Sequence, residues 1–203
     1  MNSTTTIFTD EELALEAQAG SRRCFEELIE RYSPKLFNFL RPKIASNQDI
    51  EDIIQETFFK LYKNIFRYDP KWKFSTWIYT AANRMAISFY RSKKKKNVTE
   101  LPTYIDEDPA EMLLKKTQTE NIWKLARNLK SDYYDVLWLR YVEEMSLKEI
   151  AKIMRKTAVA VRLLLHRARL NLAKQFQFDS EFKKDIVRAG SGGENLNYTE
   201  NQG

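Results

Sequence analysis

Apolar residues recur at intervals of three and four along almost the whole chain, the spacing of helices with one buried face. Thr9 and Glu12 form a capping-box pair that opens the first helix, and Gly20 is placed to stop it. The next stripe is Phe25, Leu28, Ile29, Tyr32, Leu36, Phe37 and Leu40, with Pro34 predicting a kink and Pro42 lying beyond the end. From Asp49 to Ile65 the pattern is most regular. Ile50, Ile53, Ile54, Thr57, Phe58, Leu61, Tyr62 and Ile65 share one side, and Asp52, Gln55, Glu56, Phe59 and Lys63 share the other. Acids near a helix start suit its positive end. An aromatic such as Phe59 among carboxylates, however, points to a partner surface.

Residues 66–74, FRYDPKWKF, break the periodicity and read as a loop carrying rings and cations, Tyr68, Lys71, Trp72 and Lys73 among them. Ser75 is placed to cap a following helix that reaches about Ser92. Its predicted inward side is Trp77, Ile78, Ala81, Ala82, Met85 and Phe89, with Thr80, Arg84, Ser88 and Arg91 outward. Residues 93–109 are polar, hold two prolines and an acidic run, and read as a linker. Helix resumes near Ala110 and ends by Lys130. Ser131 or Asp132 then caps a helix bearing Tyr134, Val136, Leu137, Leu139, Arg140 and Tyr141.

Met145 to Gln175 organises the rest. Ser146 and Glu149 make a second capping box, and Leu147, Ile150, Ala151 and Met154 form a stripe that the polar Arg155, Lys156 and Thr157 interrupt. Thr157 caps a second helix expected to reach about Phe176, with Val161, Leu164, Leu165, Ala168 and Leu172 packed and Arg162, Arg167, Arg169 and Lys174 on other sides. A short helix, a tight turn and a longer basic helix make a helix-turn-helix, whose second helix enters the major groove. The bland alternative is a two-helix hairpin of a bundle with a solvated basic face. Beyond Phe178 the pattern is lost, and residues 178–203 read as a disordered tail.

The expected fold is therefore all-α: two small helical domains, 10–96 and 110–177, joined by a flexible linker at 97–109. The formal charge of +6 is unevenly placed. Residues 70–99 carry 8 basic and no acidic side chains, and 136–176 carry 9 basic and 3 acidic, whereas the stretches around them are net acidic. Two separate basic blocks argue for two defined nucleic-acid surfaces. The first block interleaves aromatics, which suits unpaired strands through stacking and phosphate neutralisation. A single cysteine, Cys24, excludes an internal disulfide and a cysteine-based zinc site. No apolar run has the length of a membrane span or signal-peptide core, so a cytoplasmic location without membrane insertion is expected.

Three stretches in order, DIEDIIQETFFKLYKNI, FSTWIYTAANRMAISFYRSKKKK and YYDVLWLRYVEEMSLKEIAKIM through HRARLNL, resemble the extracytoplasmic-function (ECF) group of the sigma-70 family of RNA polymerase initiation factors. The resemblance spans about Glu11 to Gln175 and implies sigma domain 2, a linker and sigma domain 4. It implies docking of Asp52, Gln55 and Glu56 on the clamp helices of the beta-prime subunit, with the beta subunit a further part of the core polymerase partner. It implies recognition and melting of the minus-ten element by the loop Tyr68 to Phe74 and by Asn83, Arg84, Ser88 and Arg91. Duplex reading of the minus-thirty-five element falls on Lys156, Thr157, Ala158, Val159, Arg162 and Arg167. An anti-sigma factor is a further implied partner. Ser88 stands where the family usually has Asp, Arg155 where the turn usually has Gly, and Leu164 where a second cation is common.

Two other functions fit parts of the pattern. A stand-alone helix-turn-helix repressor needs a dimer to read two half-sites and leaves the aromatic block unexplained. A magnesium-dependent nucleotide hydrolase would use Glu51, Asp52 and Glu56, but magnesium needs clustered oxygen ligands and no second acidic helix is found to face these. The sole histidine, His166, lies inside the basic helix. No cofactor or catalytic residue is expected.

Overall fold

The computed structural model describes residues 8–96 and 118–190, with side chains for 8–93 and 122–176, and every regular element among them is helical. The expected linker at 97–109, the helix start near Ala110 and the end of the tail lie outside the described residues.

The first group comprises α1 (Asp10–Gln18), α2 (Arg22–Leu40), α3 (Asn47–Lys63) and α4 (Phe74–Lys96). Thr9 and Glu12 cap α1 reciprocally, and Gly20 follows its end at φ 107°, a left-handed conformation that a Cβ would strain. Pro34 sits within α2 without ending it, and Ser33 donates its hydroxyl to the Ile29 carbonyl at 2.6 Å. Ser46 caps α3, which starts at Asn47, two residues before the expected Asp49. Tyr62, predicted inward, is 50% exposed and packs its ring against Phe25 at the rim. α4 begins at Phe74, so Ser75 lies inside it; its first free N–H is taken by Glu11 of α1, whose carboxylate accepts from the Phe74 amide at 3.0 Å.

The second group comprises α5 (Gln118–Arg127), α6 (Ser131–Tyr141), α7 (Leu147–Met154) and α8 (Ala158–Gly190). Lys130, rather than Ser131 or Asp132, occupies the N-cap of α6, with no side-chain cap. The capping box of Ser146 and Glu149 starts α7 as expected. α8 continues to Gly190, so 178–190 is helical where a disordered tail is predicted. Once a helix is under way, each further residue adds a hydrogen bond at little nucleation cost.

The two groups pack directly on one another. In α6, six consecutive residues from Tyr134 to Leu139 are buried, more than one helical face can account for. In α7, Ile153 is 1% exposed although it falls off the predicted stripe, because α7 lies between α8 and α4. α4 is likewise covered on two sides, by α3 and by α7. Thr76, Tyr79 and Asn83 are buried in consequence. Thr80, predicted outward, is also buried and donates its hydroxyl to the Thr76 carbonyl.

Across this interface, the Tyr134 hydroxyl donates to the Asn38 carbonyl at 3.0 Å, and the Trp138 indole N–H donates to the Tyr79 hydroxyl at 3.4 Å. Lys43 of the first group meets Asp135 of the second at 2.8 Å, both almost wholly buried. Their contact lacks the alignment of a hydrogen bond, and the Lys43 ammonium also sits 3.5 Å above the Phe39 ring. Burial displaces both groups toward neutrality: Lys43 falls below its usual value, and Asp135 is pushed up to about 6 despite the cation beside it. Removal from water thus outweighs the attraction, as expected for an isolated buried pair.

Asp135 binds its proton more readily folded than unfolded, where its value is 3.8. Its contribution to stability therefore increases as pH falls through about 6. Lys43 acts at the alkaline end. In urea unfolding, wild type is expected to gain stability relative to Asp135→Asn between pH 7 and pH 5, and a pH-independent difference would contradict the assignment.

Candidate polymerase and nucleic-acid interfaces

Three surfaces carry the predicted residues. On α3, Asp52, Gln55, Glu56 and Phe59 are all exposed on the side opposite Ile53, Ile54, Thr57 and Phe58. Phe59 is 53% exposed with the Lys63 ammonium 4.2 Å from its ring centroid, and Lys60 pairs with Glu56 at 3.2 Å. A ring held in the open beside carboxylates is poised to lose water on contact with a partner.

The second surface is the loop 68–73 and α4. Lys71 and Lys73 are exposed, and Trp72 is 44% exposed. Tyr68 is not: it is 5% exposed, packs on Phe74 and Trp77, and donates its hydroxyl to the Trp72 carbonyl at 2.9 Å. Its burial also raises its hydroxyl pKa, so Tyr68 shapes the loop as a neutral core residue rather than facing a ligand. Gln18 of α1 clamps the loop from behind, its amide donating to the carbonyls of Ile65 and Tyr68, both at 3.1 Å. Along α4, Arg84, Ser88 and Arg91 are exposed, whereas Asn83 is 9% exposed and donates its amide to the Ile153 carbonyl at 3.2 Å. The predicted strand-binding set therefore divides into an open part and a covered part.

The cover is α7. The Lys152 ammonium lies 3.4 Å over the Trp72 ring, and the Thr76 hydroxyl donates to Glu149 at 3.3 Å. Burial opposes ionisation of Glu149, yet the hydroxyl and backbone N–H of Ser146, with Lys73 and Thr76 nearby, hold its carboxyl below the usual value. None of these cross-contacts was legible in the sequence, since α7 reads as one-sided. The off-stripe Ile153 was the available signal.

The third surface is the start of α8. Thr157 accepts from the Ala160 amide at 3.1 Å, the N-cap geometry predicted for it. Lys156, Thr157, Ala158, Val159, Arg162 and Arg167 are all exposed, Val159 at 74%. Lys156 pairs with Asp132 at 3.1 Å, and Arg169 is turned aside, donating to the Tyr141 hydroxyl at 2.6 Å. Arg162 and Arg167 thus remain the cations available along the helix start. Arg155 is left-handed at φ 54°, ψ 44°, ending α7 in the conformation a helix-turn-helix turn needs. Leu164 is partly buried and packs against the core on the inward side of α8.

A helical unit with an exposed acidic face and a cationic aromatic loop is followed by a helix-turn-helix unit. The Sigma-70 region 2 family model matches residues 28–96, and the Sigma-70, region 4 model matches residues 119–172. The RNA polymerase sigma factor YlaC of Bacillus subtilis is 30% identical over 161 residues, covering 75% of this chain and 92% of that protein. The ECF RNA polymerase sigma factor SigW of the same species is 26% identical over 175 residues, covering 80% and 94%. Similar folds have been solved, two of them in complexes. CnrH, in complex with the cytosolic domain of CnrY, has a TM-score of 0.62 at 22% identity over 84% of this chain and 98% of its own. The sigma factor RpoE of Bartonella quintana, in complex with the anti-sigma factor NepR, has a TM-score of 0.65 at 17% identity over 76% and 98%.

The chain belongs to the sigma-70 family, in its ECF group. It is an initiation factor that binds core RNA polymerase and directs it to promoter DNA, not an enzyme and not a stand-alone repressor. No helix among the described residues is long and apolar enough to cross a membrane.

Left-handed backbone costs a side-chain-bearing residue about 1 to 2 kcal/mol, and glycine returns about 0.5 to 1 of that through its looser unfolded state. Arg155→Gly is therefore expected to leave stability unchanged or raise it by up to about 1.5 kcal/mol. A clear drop in urea midpoint would show that the Arg155 side chain itself holds the turn.

Proposed function

We propose that the three surfaces divide the work of initiation as follows. Asp52, Gln55, Glu56 and Phe59 dock on the beta-prime clamp helices. Lys71, Trp72 and Lys73, with Asn83, Arg84, Ser88 and Arg91, take the unpaired minus-ten strand: Trp72 supplies a stacking platform, the cations hold phosphate and the polar side chains meet base edges. The start of α8 reads the minus-thirty-five duplex. The observation that carries this reading is the exposure of the α3 acidic face and the α8 basic face on different helices, each backed by a packed side that fixes its direction. The protein acts in the cytoplasm, where polymerase and promoter are. An anti-sigma protein is its regulator, a reading supported by the similar folds solved with such partners.

Docking is tested by charge reversal. Truncating a desolvated charge at an interface centre typically costs about 2 to 5 kcal/mol, against under about 1 at an exposed rim. Asp52→Lys with Glu56→Lys is expected to remove most binding to core polymerase while leaving helical content intact. Retention of wild-type binding in a pull-down would reject the docking face.

Duplex reading is tested by comparing two arginines. Arg162 is placed for a bidentate contact to a guanine edge, worth about 1 to 3 kcal/mol of discrimination. Arg167, a turn and a half further on, is assigned to phosphate. Arg162→Ala should flatten preference among upstream-element variants, whereas Arg167→Ala should weaken all variants alike and lower the salt slope by about one. Equal loss on every variant with Arg162→Ala would shift base reading to Ala158, Val159 or DNA shape.

A further inference from the structure

We infer that the minus-thirty-five element of this protein's promoters is read in part through thymine methyl groups, which Val159 and Leu163 at the start of α8 contact in the major groove. The inference rests on the proposed reading of duplex DNA by α8 and adds the chemical class of base that this surface selects. Thr157 caps the helix, and at 3.6 residues per turn Val159, Arg162, Leu163 and His166 share one side of its first turns. All four are exposed, Val159 at 74% and Leu163 at 49%. The opposite side, with Val161, Leu165 and Ala168, is buried in the core and fixes the direction of the open one.

An isolated apolar side chain on a surface needs no explanation. These two are not isolated: they stand one turn apart, between Arg162 on one flank and Arg167 on the other. No acidic residue occurs between Glu149 and Asp179, a stretch with seven lysines and arginines. Charge of a single sign selects a polyanion as the occupant. In the major groove every base pair displays hydrogen-bonding groups, and thymine adds its C5 methyl, the apolar group there. Valine and leucine side chains hold no donor or acceptor, so against any other base edge they would strip water from polar groups without replacing it. Thymine is therefore favoured by what the other bases lose as well as by what its methyl gains.

Spacing along the helix limits where those methyls lie. Val159 and Leu163 are separated by a rise of about 6 Å, which is under two base-pair steps of about 3.4 Å. Their thymines therefore fall within three consecutive base pairs, beside the guanine assigned to Arg162. Covering one methyl group is worth about 0.8 kcal/mol, or about fourfold in affinity.

The test uses holoenzyme assembled from the full chain and core polymerase, bound to a promoter recovered with the factor by chromatin immunoprecipitation. Scrambling the upstream element should weaken binding; no loss at this step would reject duplex reading by α8 itself, on which the inference stands. Each thymine of the element, on either strand, is then replaced singly by deoxyuridine, which keeps the pairing and the O4 acceptor and removes the methyl alone. A loss of about fourfold is expected at one or two thymines within three consecutive pairs. Val159→Ala and Leu163→Ala should each weaken the thymine promoter by a similar factor and become indifferent to deoxyuridine at one of those positions. Both side chains are exposed, so an unchanged urea midpoint separates reading from folding. An upstream element without an A·T pair would overturn the inference. So would wild-type binding insensitive to every deoxyuridine, or deoxyuridine losses that persist undiminished in both variants.

Discussion

Helix α4 is held between two neighbours, and most of the molecule's behaviour follows from that. Its apolar side, with Ile78, Ala82 and Ala86, belongs to the core shared with α2 and α3. Its more polar side, with Thr76, Tyr79 and Asn83, belongs to the contact with α6 and α7. A helix covered on both sides offers a ligand only what remains: Arg84, Ser88 and Arg91 toward its end, and the loop cations at its start.

The two covered sides differ in chemistry. Inside the first group the contacts are ring on ring and aliphatic on aliphatic, such as Tyr32 against Phe74 and Phe39 against Tyr79. The larger polar groups there are tied off, the Tyr32 hydroxyl donating to Asp10 at 2.6 Å and Arg31 pairing with the same carboxylate. Between the groups, buried charges meet without full hydrogen bonding, and hydroxyls bridge to backbone carbonyls. Interfaces of this polarity resemble associations that form and part more than a continuous core. The first kind of packing fixes the shape of a domain.

Much of the candidate site was legible because its residues project from elements whose faces follow from spacing. The α3 acidic side and the start of α8 lie where periodicity puts them. Tyr68 was misplaced because a ring in a cationic loop reads as a stacking platform, whereas here it plugs the loop from beneath. Tyr62 was misplaced in the opposite sense, since a residue at the edge of a stripe is buried only if a neighbour reaches it. Asn83 was read as a contact residue, and the chain gives no local sign that a carbonyl from residue 153 occupies its amide.

By itself, the sequence determined the helices, most of their caps and the inward side of each, because capping and 3.6-residue periodicity are local consequences of backbone hydrogen bonding and side-chain polarity. It also determined the class, through three motifs in order. Tertiary structure alone decided which helices acquire a second buried side. Ile153, Thr80 and the unbroken buried run from Tyr134 to Leu139 break the single-stripe pattern because α4, α6 and α7 meet across a contact between distant parts of the chain. Periodicity reports the face a helix turns to one neighbour. It carries no information about a second neighbour brought by the fold.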